Sequence, residues 1–474
     1  MVWPTELEPA PQRVEPFDWY RANREQGPIH YDPERDAYDV FTHEANTAIL
    51  MDHERFSSES DDPGAPPSML TADPPKHTRH REAVDEFFEP GAVAALEDDI
   101  RETAVPLIDA AVEEGRFDVV DAFAYRLPIE TIATLLGVPP EDREQFKEWS
   151  DRAVASAQLT GDSDPQTRRR RIMEIGSYIL EIMEERRSAP QDDLISDVAT
   201  AEGHDLSDSE QMGLYLLLLI AGNITTTNLI TNTVWCLANW GLVDSVRDRE
   251  IIPQAIEETL RYRSPVQRTR RIVSEPVEVA GQNFEPGDWV VCWLGAANRD
   301  PAVFDDPGRF IPDRSPNPHL SFGRGIHFCL GASLARLEAR IVIEALLERV
   351  ETIDLVETEY QPVSSAFIYG SSHCRCELTS GNGRIVPREK SHSSSRCHSD
   401  RNQVHSGPTA IRSRRRRVSR VARGNRCPAP GLRHPSSFSR PIRHWVMHSR
   451  WLQPVPSMGR YSSVLMMTMS PSRP

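Results

Sequence analysis

Lysine is almost missing from the first 370 residues, where Lys76 and Lys147 are the only two. This stretch holds 68 acidic and 34 basic residues, whereas residues 371–474 hold 20 basic and 3 acidic residues. Such an acidic body does not favour nucleic acid as a partner. It fits a protein that works in concentrated salt, where screening suppresses self-repulsion. An acidic cytosolic protein from a GC-rich genome would look similar, and we favour the salt-adapted interpretation.

The sequence shows no pattern typical of segments that direct a protein into or across a membrane. Residues 1–10 have no basic start and no apolar run, so we expect no signal peptide. The strongest apolar stretch, residues 212–221, is about half as long as a membrane-spanning helix. Seven cysteines show no paired framework of the secreted type. We therefore expect a cytoplasmic protein with no membrane partner.

The basic tail, residues 371–474, differs from the rest of the chain in charge and in patterning. It contains the run IRSRRRRVSR at 411–420 and no apolar period, so it cannot bury enough surface to offset its ordering entropy. It is either a basic arm that binds nucleic acid or an out-of-frame translation, and the abrupt charge reversal favours the second. We predict an N-terminal segment 1–26, a folded domain 27–370 and a tail 371–474 that contributes nothing to fold or activity.

Helical patterns dominate the folded domain. Apolar residues recur at three- and four-residue spacing in 92–113 and in 172–187. Ser207 and Glu210 form a capping box before a long apolar run, which predicts a helix of roughly 30 residues that ends near Trp240. Short strand signals lie at 38–41, 277–284 and 289–293. The predicted fold class is mainly α with small β-sheets.

Residues 319–338, HLSFGRGIHFCLGASLARLE, place Cys329 in a glycine-rich loop before a helix that begins near Ala332. Glycines let backbone N–H groups approach the sulfur, and a helix N-terminus adds positive potential, so the segment favours a thiolate. For a cysteine taken alone, a simple buried turn residue would be the better interpretation. We refer to residues 322–331 as the cysteine loop.

The surrounding motif decides between these interpretations. Phe322, Gly325, Cys329 and Gly331 resemble the haem-ligand signature Phe-x-x-Gly-x-x-x-Cys-x-Gly of the cytochrome P450 family. Further resemblances follow in the family's order. They are DPPKHTRHR at 73–81, QDDLIS at 191–196, Glu258 with Arg261 in a Glu-x-x-Arg motif that Arg314 could join, and ANRDP at 297–301. The resemblance covers residues 27–370.

The resemblance implies a cytochrome P450 fold with haem b (iron protoporphyrin IX) between the long central helix and the helix after the cysteine. Cys329 would be the iron ligand. The other residues implied to hold the haem are the propionate partners and the residues of the cysteine loop: His77, Arg81, Arg271, His327, Phe322, Gly323 and Gly331. The implied reaction is a monooxygenation that inserts one atom of O₂ into a small organic substrate. Because the chain has no flavin domain, electrons would come from a separate ferredoxin-type protein, for which Arg324 is a candidate docking residue.

The segment AGNITT at 221–226 resembles the family's Ala-Gly-x-Glu/Asp-Thr-Thr, but it departs from it at one position. Ala221 and Gly222 would leave room for O₂, and Thr225 falls on the oxygen-activating threonine. Ile224 stands where the family has a proton-relaying acid, and isoleucine cannot carry a proton. Proton delivery would then use Asn223, Thr226, water or a substrate group.

Two alternatives remain open on the same fold, a peroxygenase and a non-catalytic haem-binding protein. The intact Thr225 argues against a peroxygenase, and Ile224 argues weakly for it. We expect substrate contacts from the central helix and from 58–71, 154–167, 266–269 and 364–367, but the sequence does not identify the substrate.

Overall fold

The structure is a computed structural model that describes residues 4–7, 15–59, 68–158, 165–200, 206–356, 363 and 368–378. Side chains are not described for 151–169 and 171–172. The α-helices in these ranges are α1 Phe17–Gln26, α2 His43–Met51, α3 Lys76–Glu82, α4 Asp85–Phe88, α5 Pro90–Ala95, α6 Glu97–Glu114, α7 Arg126–Leu136, α8 Arg143–Gln158, α9 Pro165–Ser188, α10 Leu194–Thr200, α11 Asp208–Asn239, α12 Ile252–Tyr262, α13 Leu294–Ala297 and α14 Ala332–Arg349.

The strands are β1 Ile29–Asp32, β2 Ala37–Val40, β3 Phe56–Ser57, β4 Arg116–Asp118, β5 Thr269–Val273, β6 Val277–Val279, β7 Gln282–Phe284, β8 Trp289–Cys292, β9 Asp354–Leu355 and β10 Arg375–Glu377. They form a five-stranded sheet in the order β1-β2-β8-β5-β3, a three-stranded sheet β4-β10-β9 and a hairpin β6-β7. Only the pairing of β2 with β8 is parallel. The three predicted strand regions are confirmed, with 277–284 resolved into the hairpin.

The central helix α11 confirms the predicted long helix and its start. Ser207 accepts a hydrogen bond from the backbone N–H of Glu210, and the Glu210 carboxylate accepts one from the backbone N–H of Ser207. The helix has 32 residues and is buried on most sides. It is also the one described helix that is long and apolar enough to cross a membrane. Because 72% of its most apolar window is buried in protein, it has the character of a core helix.

Two other predicted helices differ from the structure at their ends. Residues 92–113 form two helices, α5 and α6, which are separated at Leu96. The three acidic residues Glu97, Asp98 and Asp99 occupy the first turn of α6, where they complement the helix dipole and mark a new start. The region 172–187 belongs to α9, which begins earlier, at Pro165. Proline is common at the first position of a helix, which accounts for the earlier start of α9.

The predicted boundary at residue 27 does not separate two bodies. Tyr20 of α1 is buried, its ring centroid lies 5.7 Å from that of Trp293, and its hydroxyl donates to Gln267 Oε1 at 2.8 Å. Leu7 is buried in the same apolar cluster. The described part of the N-terminal segment therefore packs as part of the folded domain, because aromatic side chains on α1 cover the sheet.

The boundary at residue 370 also lies too early. Strand β10 pairs with both β4 and β9, and the backbone N–H of Val119 donates to the Cys374 carbonyl at 2.9 Å. Cys374 and Cys376 are buried in the main hydrophobic core. Residues 371–378 thus belong to the fold. Residues 379–474 lie outside the described residues, and the expectation that they contribute nothing stays a prediction.

Candidate cofactor site

Two glycines shape the cysteine loop. Gly323 and Gly325 have φ angles of 72° and 70°, which side-chain-bearing residues rarely adopt. At Gly325 a Cβ atom would lie 2.5 Å from the carbonyl oxygen of Leu50, at the end of α2. Only glycine therefore allows the loop to approach α2 this closely, which fixes the position of the residues that follow.

Hydrogen bonds with the backbone position Cys329 between Phe322 and Gly331. The residue's backbone N–H donates to the Phe322 carbonyl at 2.8 Å, and the thiol accepts from the backbone N–H of Gly331 at the start of α14. The side chain has accessible surface, yet the protein atoms around it desolvate the thiol and raise its pKa. The Gly331 N–H, Arg81 and Arg336 oppose that rise. The sulfur is accessible to a ligand, and a bound metal cation would favour its thiolate form.

Phe322 is held by a residue that the sequence analysis missed. The guanidinium of Arg336, on α14, lies 4.4 Å from the centroid of the Phe322 ring. Arg336 is itself fixed by two hydrogen bonds to the Glu257 carboxylate, at 2.6 and 2.9 Å. Burial opposes ionisation of Glu257, but Arg336 and His319 lower its pKa to about 2. This ion pair therefore orients Phe322 beside the cysteine. Its only sequence signal is a basic residue in the second turn of α14.

Arg271 is a buried cation that lacks a carboxylate partner among the described residues. It is 6% exposed, and its guanidinium donates to Thr269 Oγ1 at 3.3 Å and to the Arg270 carbonyl at 2.7 Å. Burial lowers its pKa. Burying a cation without an ion pair is costly, and the attraction of Asp73 offsets that cost only in part, because burial has the larger effect on the pKa of Arg271. The position is therefore suited to an anionic group of a ligand.

Two histidines lie beside this cation. The ring centroids of His77 and His327 are 4.4 Å apart, and His327 Nε2 is buried without a hydrogen-bond partner among the described residues. Burial, with a further contribution from Arg271, lowers the pKa of His327 to about 3. His77 is buried, and burial and Arg81 lower its pKa. The group thus presents polar nitrogens and a cation, which suits the two propionates of a haem.

Arg81 differs from Arg271 because its charge is already paired. It donates to Asp85 at 2.7 Å and to the Phe328 carbonyl at 2.7 Å. These bonds tie α3 to the cysteine loop. The structure thus brings all four predicted propionate partners to one region, and Arg271 is the cation most in need of an anion.

The central helix presents accessible small residues within an otherwise buried stretch. Ala221 is exposed and Thr225, one turn later, is half-buried, while Asn223 and Thr226 are buried in the helix packing. The Thr225 hydroxyl donates to the Ala221 carbonyl at 2.7 Å. Gly222 faces the other way, since a Cβ atom there would lie 3.0 Å from Ile132 Cδ1 of α7. Accessible surface inside a core helix indicates a cavity.

Ile224 is part of an apolar cluster. It is 5% exposed and packs with Ile368, and the partly buried Ile220, Val266 and Val363 pack against them. An isolated β-bridge joins Val266 to Ile368. The residue at the acid position of the family pattern is thus accommodated by apolar neighbours from two distant parts of the chain.

The Glu-x-x-Arg prediction is confirmed. Arg261 donates to both oxygens of Glu258, at 2.7 and 2.8 Å, and Arg314 joins at 3.1 and 3.0 Å. Arg261 also donates to the carbonyls of Asn298, Pro307 and Arg309. This network, whose Glu258–Arg261 pair is fully buried, ties α12 to the segment before the cysteine loop and so supports the loop.

Comparison with known proteins identifies the family. A sequence profile of the cytochrome P450 family matches residues 243–367. Cytochrome P450 119 of Sulfolobus acidocaldarius is 38% identical over 394 residues, which cover 79% of this chain and 99% of that protein. The chain belongs to the cytochrome P450 family. Erythromycin C-12 hydroxylase of Saccharopolyspora erythraea is 38% identical over 349 residues, or 70% of this chain and 86% of that one.

A solved structure agrees with this assignment. CYP109E1 from Bacillus megaterium in complex with testosterone aligns with a TM-score of 0.73 at 39% identity, covering 79% of this chain and 100% of that one. The cytochrome P450 fold expected from the motifs is confirmed. As a cytochrome P450 the chain is a monooxygenase, and its family implies haem b as the cofactor. The accessible Cys329 sulfur, the buried Arg271 and the partnerless Nε2 of His327 fit that group. Residues 60–67, 159–164 and 364–367, where substrate contacts were expected, lie outside the described residues.

Proposed function

We propose that this P450 hydroxylates a small, largely apolar organic substrate with electrons from a separate ferredoxin-type protein in the cytoplasm. The balanced reaction converts R–H, O₂, two electrons and two protons into R–OH and water. The observation that carries the proposal is the accessible, desolvated Cys329 sulfur, with a buried cation that lacks a carboxylate in the same region.

The residues that would hold the haem follow from the site. Cys329 would ligate the iron, with Gly323 and Gly331 shaping the loop around it and Phe322 packing beside the sulfur. Arg271, His77 and His327 would bind the propionates, with Arg81 holding α3 against the loop. When bound, the haem supplies the activation of O₂ and the insertion of one oxygen atom into the substrate.

The central helix would organise the opposite side. Ala221 leaves space for O₂ and substrate because its side chain is small and accessible, whereas Gly222 lets α7 pack closely against the central helix. Thr225 would hold a proton at Oγ1 and pass it towards the oxygen, and its bond to the Ala221 carbonyl fixes the hydroxyl. Asn223 and Thr226 lie within two residues of Thr225 on the same helix. They would take part in proton delivery, since Ile224 cannot carry a proton.

Apolar walls support the choice of an apolar substrate. Ile220, Ile224 and Val266 with Ile368 form an apolar cluster beside the accessible stripe of Ala221 and Thr225. Burial of an apolar substrate against such surfaces contributes about 25 cal/mol per Å². Related proteins act on or bind bulky, largely apolar molecules, as testosterone bound to CYP109E1 and the erythromycin hydroxylase illustrate.

The surface beside the cysteine loop supports a separate electron carrier. Phe328 is 40% exposed, and the half-buried Arg324 lies in the same loop. Arg81, on the neighbouring α3, donates to the Phe328 carbonyl. Arg324 beside an exposed aromatic residue would attract an acidic ferredoxin and hold it close to the iron ligand.

Product formation, measured with two different electron supplies, tests the proposal. We expect product with a ferredoxin, its reductase and O₂, and little product with added hydrogen peroxide alone. Product with peroxide and none with ferredoxin would identify a peroxygenase, the alternative that Ile224 favours. Haem binding without product in either assay, across a panel of steroids, fatty acids and macrolides, would indicate a non-catalytic haem protein.

A further inference from the structure

The carboxylate of Glu210 binds two helices at once. Its Oε2 accepts hydrogen bonds from the backbone N–H and from the hydroxyl of Ser207, at 3.0 and 2.7 Å, within the capping box of the central helix α11. Its Oε1 accepts from Arg79 Nη2 at 2.9 Å and from His80 Nε2 at 3.2 Å, and both of these residues lie on α3. The capping box thus uses one carboxylate oxygen, and the other oxygen joins α3 to the central helix.

The contact joins an ionised carboxylate to a neutral histidine. Burial opposes ionisation of Glu210, but the hydrogen bonds from both helices outweigh it and lower its pKa to about 2. His80 is 1% exposed, and burial lowers the pKa of its ring. A neutral imidazole that is protonated at Nε2 still donates to a carboxylate. The bond between His80 and Glu210 therefore needs no protonated histidine, and its buried position protects it from screening by salt.

The position of α3 depends on contacts of this kind. The helix has seven residues, and a helix this short is not stable by itself in water. Its buried residues, His77 and His80, are three positions apart and so lie on one side. The ring of His77 lies 4.4 Å from that of His327 in the cysteine loop, and His80 bonds to Glu210. The buried side of α3 is therefore held between the cysteine loop and the start of the central helix.

We propose that Glu210 is a positioning residue for the haem. It holds Arg79 and His80, and so fixes α3 where His77 reaches a propionate. The inference rests on the proposed role of His77 in haem binding, and it adds a function to Glu210 that helix capping does not explain. Because one carboxylate fixes the ends of two helices, the propionate side of the haem site is coupled to the helix that carries Thr225.

Two variants separate positioning from capping. Glutamine can complete a capping box, but its amide has a single oxygen, so Glu210→Gln cannot accept hydrogen bonds from both helices. Ser207→Ala removes the capping hydroxyl and leaves the bonds from α3 in place. We measure transfer of haem from the loaded protein to excess haem-free myoglobin, which requires no turnover.

The expected results differ for the two variants. Glu210→Gln should release haem roughly tenfold faster than the parent, which corresponds to the loss of a hydrogen bond to a charged group. Ser207→Ala should lower the unfolding midpoint of the haem-free protein but release haem at the parent's rate. Release at the parent's rate in Glu210→Gln, or equal acceleration in both variants, would overturn the inference, because Glu210 would then act only as a helix cap.

A double variant tests whether Glu210 acts through His77. His77→Ala should itself accelerate haem release. If Glu210 acts by placing His77, Glu210→Gln should add nothing when His77 is already alanine, because residues that act through one interaction are not additive. A full further acceleration in the double variant would overturn the inference, since Glu210 would then act independently of His77.

Changes on α3 give a second route if Glu210→Gln fails to fold. Arg79→Gln combined with His80→Leu removes both bonds to Glu210 and leaves the capping box intact. This chain should release haem as fast as we expect for Glu210→Gln. Lys76→Gln is the matched control, since it removes a positive charge from an exposed position of the same helix. Haem release at the control's rate in the Arg79 and His80 variant would overturn the inference.

The outcomes separate this inference from the proposed function. Release at the parent's rate in His77→Ala would reject the proposed propionate role of His77 and the inference with it. Acceleration in His77→Ala without acceleration in Glu210→Gln would reject the inference alone. Absence of product from the parent with every electron donor would count against the monooxygenase, and the rates of haem release would still decide the role of Glu210.

Discussion

Ile224 packs against Ile368, so an apolar contact occupies the position where the family's pattern has an acid. The partner is not local in sequence, since a β-bridge to Val266 holds Ile368 against the central helix. A carboxylate at 224 would enter this apolar cluster without a cation among its packing partners. The chain therefore differs from the family's pattern in a group of contacts and not in a single side chain.

The first prediction concerns Ile224→Asp. Burying a polar group in the cluster should lower the free energy of unfolding by about 1–3 kcal/mol, and desolvation should raise the pKa of the new carboxyl. Because a neutral carboxyl can still relay protons, product per electron should rise. Ile224→Asn is the matched control, with similar size and polarity but no titratable proton. Equal coupling in the Asp and Asn variants would show that another proton route already suffices.

The second prediction is that Cys329 ligates the iron. The reduced parent protein with carbon monoxide should show the family's red-shifted Soret band, and Cys329→Ser should lose it because the thiolate is removed. Cys236→Ser and Cys292→Ser are controls, since both parent residues are buried cysteines outside the cysteine loop. A red-shifted band that survives in Cys329→Ser would assign the ligand elsewhere.

Local patterns made the cysteine loop and the central helix predictable. The capping box of Ser207 and Glu210 and the glycines around Cys329 encode their geometry within a few residues. Arg336 beside Phe322 and Glu338 beside Thr131 escaped prediction, because both depend on how helices distant in sequence pack. No periodicity within one helix reveals such a contact.

The strand after Gly370 was missed for a different reason. Cys374 and Cys376 are buried and alternate with the exposed Arg375 and Glu377, which is a strand pattern visible in the sequence. The charge reversal of the tail suggested an earlier boundary. Composition averages over many residues, whereas a three-residue strand is specified by alternation and by its partners β4 and β9.

The third prediction is that Arg271→Leu weakens haem binding but stabilises the haem-free protein. Arg271→Leu removes a buried cation without a described carboxylate partner, so haem should dissociate faster, by roughly tenfold or more. The haem-free protein should become more stable, because the incompletely offset charge is gone. Arg270→Leu on the same strand is the control, since Arg270 lies over the Trp289 ring at 4.8 Å. A haem-free Arg271→Leu protein that is less stable would indicate a structural role instead.

The fourth prediction concerns Glu338, a buried residue of α14, and the pH dependence of stability. Burial raises its folded-state pKa to about 8, above the ordinary value of 4.5, so the folded state binds the proton more tightly. The stability it contributes is complete below about pH 4.5 and is lost progressively as pH rises through about 8, by a few kcal/mol. Glu338→Gln should flatten the unfolding free energy in this window. An equal slope for parent and variant in denaturant titrations would contradict the raised pKa.

The last prediction separates two possible ends of the folded domain. A chain that ends at Leu378 should bind haem and unfold at the same midpoint as the full chain, because residues 379–474 have no apolar period that could form part of a core. A chain that ends at Gly370 loses β10, which pairs with β4 and β9 and carries Cys374 and Cys376 into the core. The loss of two buried side chains and several backbone hydrogen bonds should cost about 2–5 kcal/mol.

Thermal unfolding and haem content of the two shortened chains provide the measurement, made in low salt and in molar salt. Salt screens any attraction between the basic tail and the acidic body, so the full chain and the chain ending at Leu378 should agree best there. A large loss of haem or stability on removal of residues 379–474 alone, in molar salt, would show that the tail is a functional part of the protein.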